Sequence, residues 1–181
     1  MINEKKRIVA VLGVSGVGKT TIINNFVSNY PLWLHIEAGK LLSNALPEIP
    51  YDALKDLSDD AIIKNQFLII DAFNKIVCQT EFKNIIFNGH MIIEKKNNYL
   101  LLPCSILSDI GIDEIIHIKE KPQTILKFKL SDDSRDRVYL TEEIIRKIQE
   151  KSIAHARECS MKLNIPFKIT KGEDLHELLN N

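Results

Sequence analysis

The densest group of residues that could do chemistry lies between positions 13 and 21. This segment reads Gly-Val-Ser-Gly-Val-Gly-Lys-Thr-Thr, and its first eight residues match G-x-x-x-x-G-K-[ST], the P-loop pattern. In that pattern backbone N–H groups form a nest for anions, a lysine reaches the outer phosphates, and a hydroxyl binds Mg²⁺. The segment therefore predicts a site for ATP with Mg²⁺, to which eight residues contribute: Gly13, Ser15, Gly16, Val17, Gly18, Lys19, Thr20 and Thr21. Of these, Thr20 is the predicted direct ligand of the metal.

Two arginines form a second candidate group. Arg135 and Arg137 stand in the most charged run of the chain, residues 131–137, which we expect to be an exposed excursion between two helices. A guanidinium group binds two phosphate oxygens through a planar fork and stays charged near neutral pH. With Lys19, these arginines are the predicted catalytic residues, which would clamp a transferring phosphoryl group and exclude water. The competing interpretation is a solvated run of charges that pair among themselves.

These groups need a scaffold that brings them to one edge. Apolar runs predict five strands, at residues 7–12, 32–36, 84–87, 114–118 and 167–170. Helical spacing of apolar residues predicts helices at 19–29, 39–46, 59–80, 141–163 and 174–180. Alternation of strands and helices indicates βαβ units in a parallel sheet covered on both faces. The expected fold class is therefore a P-loop three-layer α/β/α domain over residues 1–181, with a five-stranded parallel sheet and a short lid at about 131–140.

Composition restricts the function classes. The 24 Lys and Arg balance the 24 Asp and Glu, which argues against nucleic-acid binding by bulk charge. The sequence shows neither a signal-peptide pattern nor an apolar run long enough to cross a membrane, so we expect a cytoplasmic protein without membrane association.

Cys78, Cys104 and Cys159 are far apart and form no CxxC pair, so we expect free thiols rather than a disulfide or a zinc site. Four histidines also lack a metal-ligand spacing: His35, His117, His155 and His176.

Weaker features accompany the P-loop: Asp52-Ala-Leu-Lys-Asp-Leu, Gln66, Phe87-Asn-Gly-His and Ser134-Arg-Asp-Arg. With them, the chain from about Lys6 onward resembles the archaeal-type adenylate kinases, a branch of the P-loop nucleoside monophosphate kinases. The resemblance implies transfer of the γ-phosphoryl group of MgATP to AMP or a related monophosphate. It also implies a monophosphate-binding helical region at about 37–80, with Gly39, Lys55 and His90 near the acceptor. Members of that family form trimers, which gives the precedent for a homo-oligomer.

The sequence departs from that family on the acceptor side. Asn88 stands where the family usually has an acidic residue, and by its position it would hold Mg²⁺ through water. Lys55 replaces an arginine, and the predicted helix at 59–80 contains no arginine, with Lys64 as its nearest substitute. Two alternatives therefore stay open. One is a P-loop kinase of another small molecule, and the other is a nucleotide-dependent regulatory ATPase or binding module.

Overall fold

A computed structural model of the chain describes residues 5–95, 98–131 and 140–180. It contains seven strands within these ranges: β1 (Arg7–Leu12), β2 (Trp33–Glu37), β3 (Asn84–Asn88), β4 (Ile92–Glu94), β5 (Tyr99–Leu101), β6 (Glu114–Ile118) and β7 (Phe167–Thr170). Five of them form a parallel sheet in the order β2-β3-β1-β6-β7. The helices that connect its strands complete a three-layer α/β/α fold, so the predicted fold class is confirmed.

The described residues contain seven helices, and five of them match the predicted ranges to within one residue at each end. The seven are α1 (Lys19–Asn29), α2 (Ala38–Ala45), α3 (Asp59–Gln79), α4 (Ser105–Ile110), α5 (Pro122–Leu130), α6 (Glu142–Leu163) and α7 (Leu175–Leu179), with 3₁₀ turns at Tyr51–Asp56 and Gly172–Asp174. The two long helices begin at side-chain caps, since the hydroxyls of Ser58 and Thr141 accept hydrogen bonds from the N–H groups of Ala61 and Ile144. Within the described residues, no helix is both long enough and apolar enough to cross a membrane.

The central strand β1 divides the apolar core into two parts. Ile8, Ala10 and Leu12 pack in one cluster, while Val9 and Val11 pack in the other. Successive strand residues point to opposite faces, so a strand covered by helices on both sides is apolar throughout. This burial fixes β1 in the middle of the sheet, and the loop that follows it emerges at the carboxyl edge of the sheet, where open α/β folds place their ligands.

The sequence analysis missed a β-hairpin. The antiparallel pair β4–β5 follows β3, and each of its strands is only three residues long. Strands this short carry too few alternations for a period-two pattern to be recognised. The lid assigned to residues 131–140 lies, except for its two ends, outside the described residues, and so do Arg135 and Arg137.

The expectation of free thiols was wrong for two of the three cysteines. Cys104 and Cys159 form a disulfide, with their Cα atoms 5.1 Å apart, whereas Cys78 is free and exposed. The pair is separated by 55 positions in the chain. Cys104 lies just before α4 and Cys159 near the end of α6, so the pairing arises from tertiary packing and no local spacing could indicate it.

Candidate functional site

The loop between β1 and α1 has the backbone geometry that an anion nest requires. Gly16 and Gly18 have φ angles of 81° and 86°, in the left-handed region that favours glycine. Gly16 is also closely approached from outside the loop: a Cβ atom there would lie 2.7 Å from Cγ of Lys129. Val17 packs into the apolar core and anchors the loop, so its contribution to phosphate binding would come from its backbone.

Lys19 is enclosed by this loop. Its side chain is buried, and Nζ donates to the carbonyl oxygens of Gly13 and Val14 at 2.8 and 3.1 Å. Desolvation lowers the pKa of Lys19 from 10.5 to about 7, while the carboxylate of Glu94 raises it and the charge of Lys129 lowers it further. The Glu94 carboxylate therefore offsets only part of the cost of burying the ammonium group, and bound phosphates would stabilise its charged form.

His90 lies beside Lys19, with 3.4 Å between Nδ1 and Nζ. Burial, followed by the charge of Lys19, holds the pKa of His90 well below 6.5, so the ring is neutral. Its Nδ1 lies 2.8 Å from the Gly13 carbonyl oxygen, to which it must donate. His90 therefore helps to hold the first residue of the P-loop, in addition to facing the cavity.

Thr20 is at the centre of a row of polar side chains. Its hydroxyl donates to Oε2 of Glu37 at 2.9 Å and accepts from Nδ2 of Asn88 at 3.1 Å. Glu37 and Asn88 end the neighbouring strands β2 and β3 and are paired in register, which brings both side chains to Thr20. Nδ2 of Asn88 also lies 3.2 Å from Nε2 of His35, whose Nδ1 lies 2.8 Å from Oδ1 of Asn24. Because an amide nitrogen only donates, Nε2 of His35 accepts, and its Nδ1 carries the proton.

Glu37 is a candidate site residue that the sequence analysis did not identify. Partial burial acts to raise its pKa, but hydrogen bonds from Lys40 and Thr20, together with the charge of Lys40, outweigh burial and lower the pKa below 4.5. Its carboxylate is therefore ionised at neutral pH. Its proximity to Thr20 depends on the register between β2 and β3, which no short motif encodes.

A cavity of about 540 Å³ opens over these residues. Nine predicted site residues line it: Ser15, Gly16, Gly18, Lys19, Thr20, Thr21, Gly39, Asn88 and His90. Glu37, Lys40 and Ser43 line it as well, although the sequence analysis assigned them no role. Lys55 lies in the first 3₁₀ turn and is not among the described residues that line the cavity.

Lys129 brings a second buried lysine to the P-loop. It belongs to α5, packs against Gly16, and its Nζ donates to Oε2 of Glu94 on β4. Helix α5 leads directly into the segment that contains Arg135 and Arg137. The ion pair therefore connects the hairpin, the P-loop and the start of the predicted lid region.

Comparison with known proteins agrees with this geometry. A family model described as an AAA domain matches residues 12–146, which include the P-loop, the hairpin and the predicted lid. The chain belongs to this family. Within it, relatives named adenylate kinase come from Pyrococcus horikoshii and Pyrococcus furiosus, at 26% and 27% identity. Each alignment covers 96% of this chain and 91% of the relative. Together, the family model and these relatives support the P-loop nucleoside monophosphate kinase superfamily and a phosphotransferase activity.

Solved structures support the same fold for this AAA-domain protein. Shikimate kinase from Acinetobacter baumannii, in complex with shikimate, superposes with a TM-score of 0.64 at 13% identity, covering 98% of this chain and 92% of that one. Deoxyadenosine kinase from M. mycoides, with bound dATP, gives a TM-score of 0.56 at 18% identity, covering 96% and 97%. At these identities the likeness concerns the fold alone.

Proposed function

We propose that this P-loop kinase transfers the γ-phosphoryl group of ATP to a nucleoside monophosphate, AMP or a close relative. The observation that carries the proposal is the buried Lys19, which faces a cavity that extends to Gly39 and His90. A lysine at the phosphate nest would bind the phosphates of the donor, ATP. Gly39 and His90 are the residues that the family resemblance assigns to the acceptor side. The relatives named adenylate kinase support the same acceptor class.

The side chains around Thr20 fit Mg²⁺. This ion prefers oxygen ligands, and the Thr20 hydroxyl and the Glu37 carboxylate supply them next to the phosphate nest. The Thr20 hydroxyl donates a hydrogen bond to Glu37 and accepts one from Asn88. One lone pair of its oxygen is left for the metal. We assign to Glu37 the negative charge that Asn88 lacks, with Asn88 holding metal-bound water as the sequence position suggests. Bound Mg²⁺ would neutralise charge on the phosphate oxygens.

In the proposed reaction, the bond between the γ-phosphorus and its bridging oxygen breaks, and an oxygen of the monophosphate takes the phosphoryl group. With AMP as acceptor, both products are ADP. The acceptor oxygen is already ionised, so no general base is needed, and the protein contributes positioning and positive charge. Lys19 would stay in contact with the β- and γ-phosphates during the transfer. Arg135 and Arg137 would close over the transferring group and exclude water.

A kinase of another small molecule is the second candidate, and Glu37 favours it. A carboxylate at the acceptor side can accept the proton of an attacking hydroxyl, a step that a monophosphate does not require. It also repels an anionic acceptor unless a cation shields it, and Lys40 is its salt-bridge partner within the described residues. A hydroxyl-bearing acceptor would therefore use Glu37 as a general base.

An acceptor panel tests both candidates. The protein with MgATP is mixed with nucleoside monophosphates, nucleosides and hydroxyl-bearing small acids, and products are identified by mass spectrometry. We expect ADP to form only when a monophosphate is present, and a dinucleoside polyphosphate that spans both sites to inhibit tightly. Lys19→Met gives the background rate. Transfer to hydroxyl compounds alone would establish the second candidate, and hydrolysis that is independent of every acceptor would instead indicate a regulatory ATPase.

Glu37→Gln separates the two roles of the carboxylate, with Glu48→Gln as the control because Glu48 is exposed on the nearby loop. If Glu37 serves the metal, the Mg²⁺ concentration that half-saturates nucleotide binding should rise on the order of 10-fold. If Glu37 is a base, the acidic limb of the kcat/KM pH profile should disappear while Mg²⁺ dependence stays unchanged. The cytoplasmic location and the trimer remain predictions.

A further inference from the structure

Three side chains outside the nucleotide cavity form a separate cluster. Cys104 lies just before α4, and His155 and Cys159 are one turn apart on the same face of α6. One ligand atom from each residue lies within 4.8 Å of the other two. Cys159 is fully buried, whereas Cys104 and His155 are partly buried, so the cluster can be reached from solvent on one side.

We propose that, when the two cysteines are reduced, this cluster binds a soft divalent cation such as Zn²⁺. Two thiolates and one imidazole are the ligand types that Zn²⁺ prefers, and three protein ligands leave a fourth position for water. The ligands come from two separate elements, the segment that follows β5 and the middle of α6. A bound cation would therefore crosslink the hairpin region to α6, as the disulfide does.

The geometry of a bound cation requires movement of two side chains, Cys104 and His155. With Zn–S near 2.3 Å and Zn–N near 2.0–2.1 Å, tetrahedral ligands are about 3.6 Å apart for a sulfur–nitrogen pair and about 3.8 Å for two sulfurs. The distance from Sγ of Cys159 to Nε2 of His155 is already 3.8 Å. The two sulfur atoms must separate from their bonded positions, and the His155 ring must turn so that Nε2 faces the cation instead of the Leu102 carbonyl oxygen. Cys104 can make the first movement by side-chain rotation, because it is partly exposed and lies in the short segment between β5 and α4.

The surroundings of His155 suit a ligand. In the disulfide form, Nε2 is 2.7 Å from the Leu102 carbonyl oxygen, to which it donates. Metal binding requires an unprotonated Nε2, so the proton must move to Nδ1. Nδ1 lies 3.9 Å from Oε2 of Glu158, so a small rotation of this exposed side chain would bring the carboxylate within hydrogen-bond distance of that proton. A carboxylate behind a metal-bound histidine is a common supporting contact.

The disulfide and the metal exclude each other. A dithiol reductant supplies two electrons and two protons, the S–S bond breaks, two thiols form, and the dithiol itself becomes a disulfide. Binding of the cation then displaces both thiol protons, because the thiolate is the ligand. The oxidised protein should therefore bind no cation at this place.

Cobalt(II) is the probe for the test, because a thiolate ligand gives it a sulfur-to-metal charge-transfer band in the near ultraviolet. The protein is reduced, freed of reductant without air, and titrated with Co²⁺. We expect this band, with the visible bands of four-coordinate Co²⁺, to saturate at one equivalent and to be abolished by added Zn²⁺. The oxidised protein should show neither band. Cys78→Ser, which changes the free exposed cysteine, should bind like the unmodified protein.

Two variants assign the ligands. Cys104→Ser should lose the charge-transfer band at one equivalent, and His155→Asn should weaken Co²⁺ binding at least about 10-fold, whereas the exposed His176→Asn should not. His155→Asn should still form the disulfide in air, which shows that its fold is retained. Absence of the band in the reduced protein, or a full-strength band in reduced Cys104→Ser, would overturn the proposal.

Discussion

Lys19 makes nucleotide binding a proton-uptake reaction. Burial, only partly offset by Glu94, lowers its pKa from 10.5 to about 7, which corresponds to a cost of about 5 kcal/mol for the charged form. Bound phosphates remove that cost, and the pKa returns toward its usual range. At pH 8 the free protein therefore carries the proton on roughly 0.1 of its Lys19 side chains, and the complex on nearly all of them.

The expected uptake is consequently ~0.9 proton per ATP at pH 8, ~0.5 at pH 7 and ~0.1 at pH 6. The value at pH 8 is the most informative, since a terminal phosphate with a pKa near 6 is already ionised there and does not take up the proton itself. Isothermal titration calorimetry in HEPES and in Tris measures the uptake, because these buffers release protons with different enthalpies and neither is an anion that would occupy the phosphate nest. The dependence of the observed enthalpy on buffer ionisation enthalpy gives the number of protons.

Two variants control this experiment. Lys19→Arg should bind ATP without proton uptake, because a guanidinium group is charged in both states. Lys40→Met should retain the uptake, because Lys40 lines the same cavity but its side chain is 73% exposed. The reasoning is refuted if the uptake at pH 8 is near zero, or if Lys40→Met loses as much of it as Lys19→Arg does.

Four further predictions concern single residues. Gly111→Ala should lower the free energy of unfolding by about 1 kcal/mol in a denaturant titration, because it places a side chain in the left-handed region with open space around it. Gly16→Ala combines similar backbone strain with a clash against Lys129, so it should also weaken ATP binding in a calorimetric titration. Arg137→Ala should lower kcat much more than ATP affinity, and equal loss of both would argue against a transition-state role. Thr141→Ala removes the cap of α6 and should cost ~1 kcal/mol in a thermal melt.

The parts of the site that are local in sequence could be predicted. The residues from Gly13 to Thr21 are consecutive, and their backbone conformation, nest and helix start are all consequences of one short pattern. The five strands of the sheet were predicted as well, and burial on both faces makes the three inner ones, β1, β3 and β6, mostly apolar. The expected single domain of 1–181, with its helical region at 37–80, stays a prediction.

The parts that depend on packing could not be predicted. Glu37 reaches Thr20 only because β2 pairs with β3 in one register, and Lys129 reaches Gly16 only because α5 lies across the P-loop. A lysine in a helix is most often solvated, so nothing in the local sequence marks Lys129 as buried. The pairing of Cys104 with Cys159 is non-local for the same reason.

The row of hydrogen bonds that ends at Thr20 has a defined direction. Asn24 accepts from His35, His35 accepts from Asn88, and Asn88 also donates to Thr20. A second proton on His35 would place a donor against a donor, and the Asn88 amide would have to rotate, turning its oxygen toward the Thr20 hydroxyl. Burial lowers the pKa of His35 by more than the Glu37 carboxylate raises it, and the charge of Lys40 lowers it further, which opposes this reversal. The protonation state of His35, which lies outside the phosphate nest, thus determines whether the Asn88 amide occupies a lone pair of the Thr20 hydroxyl.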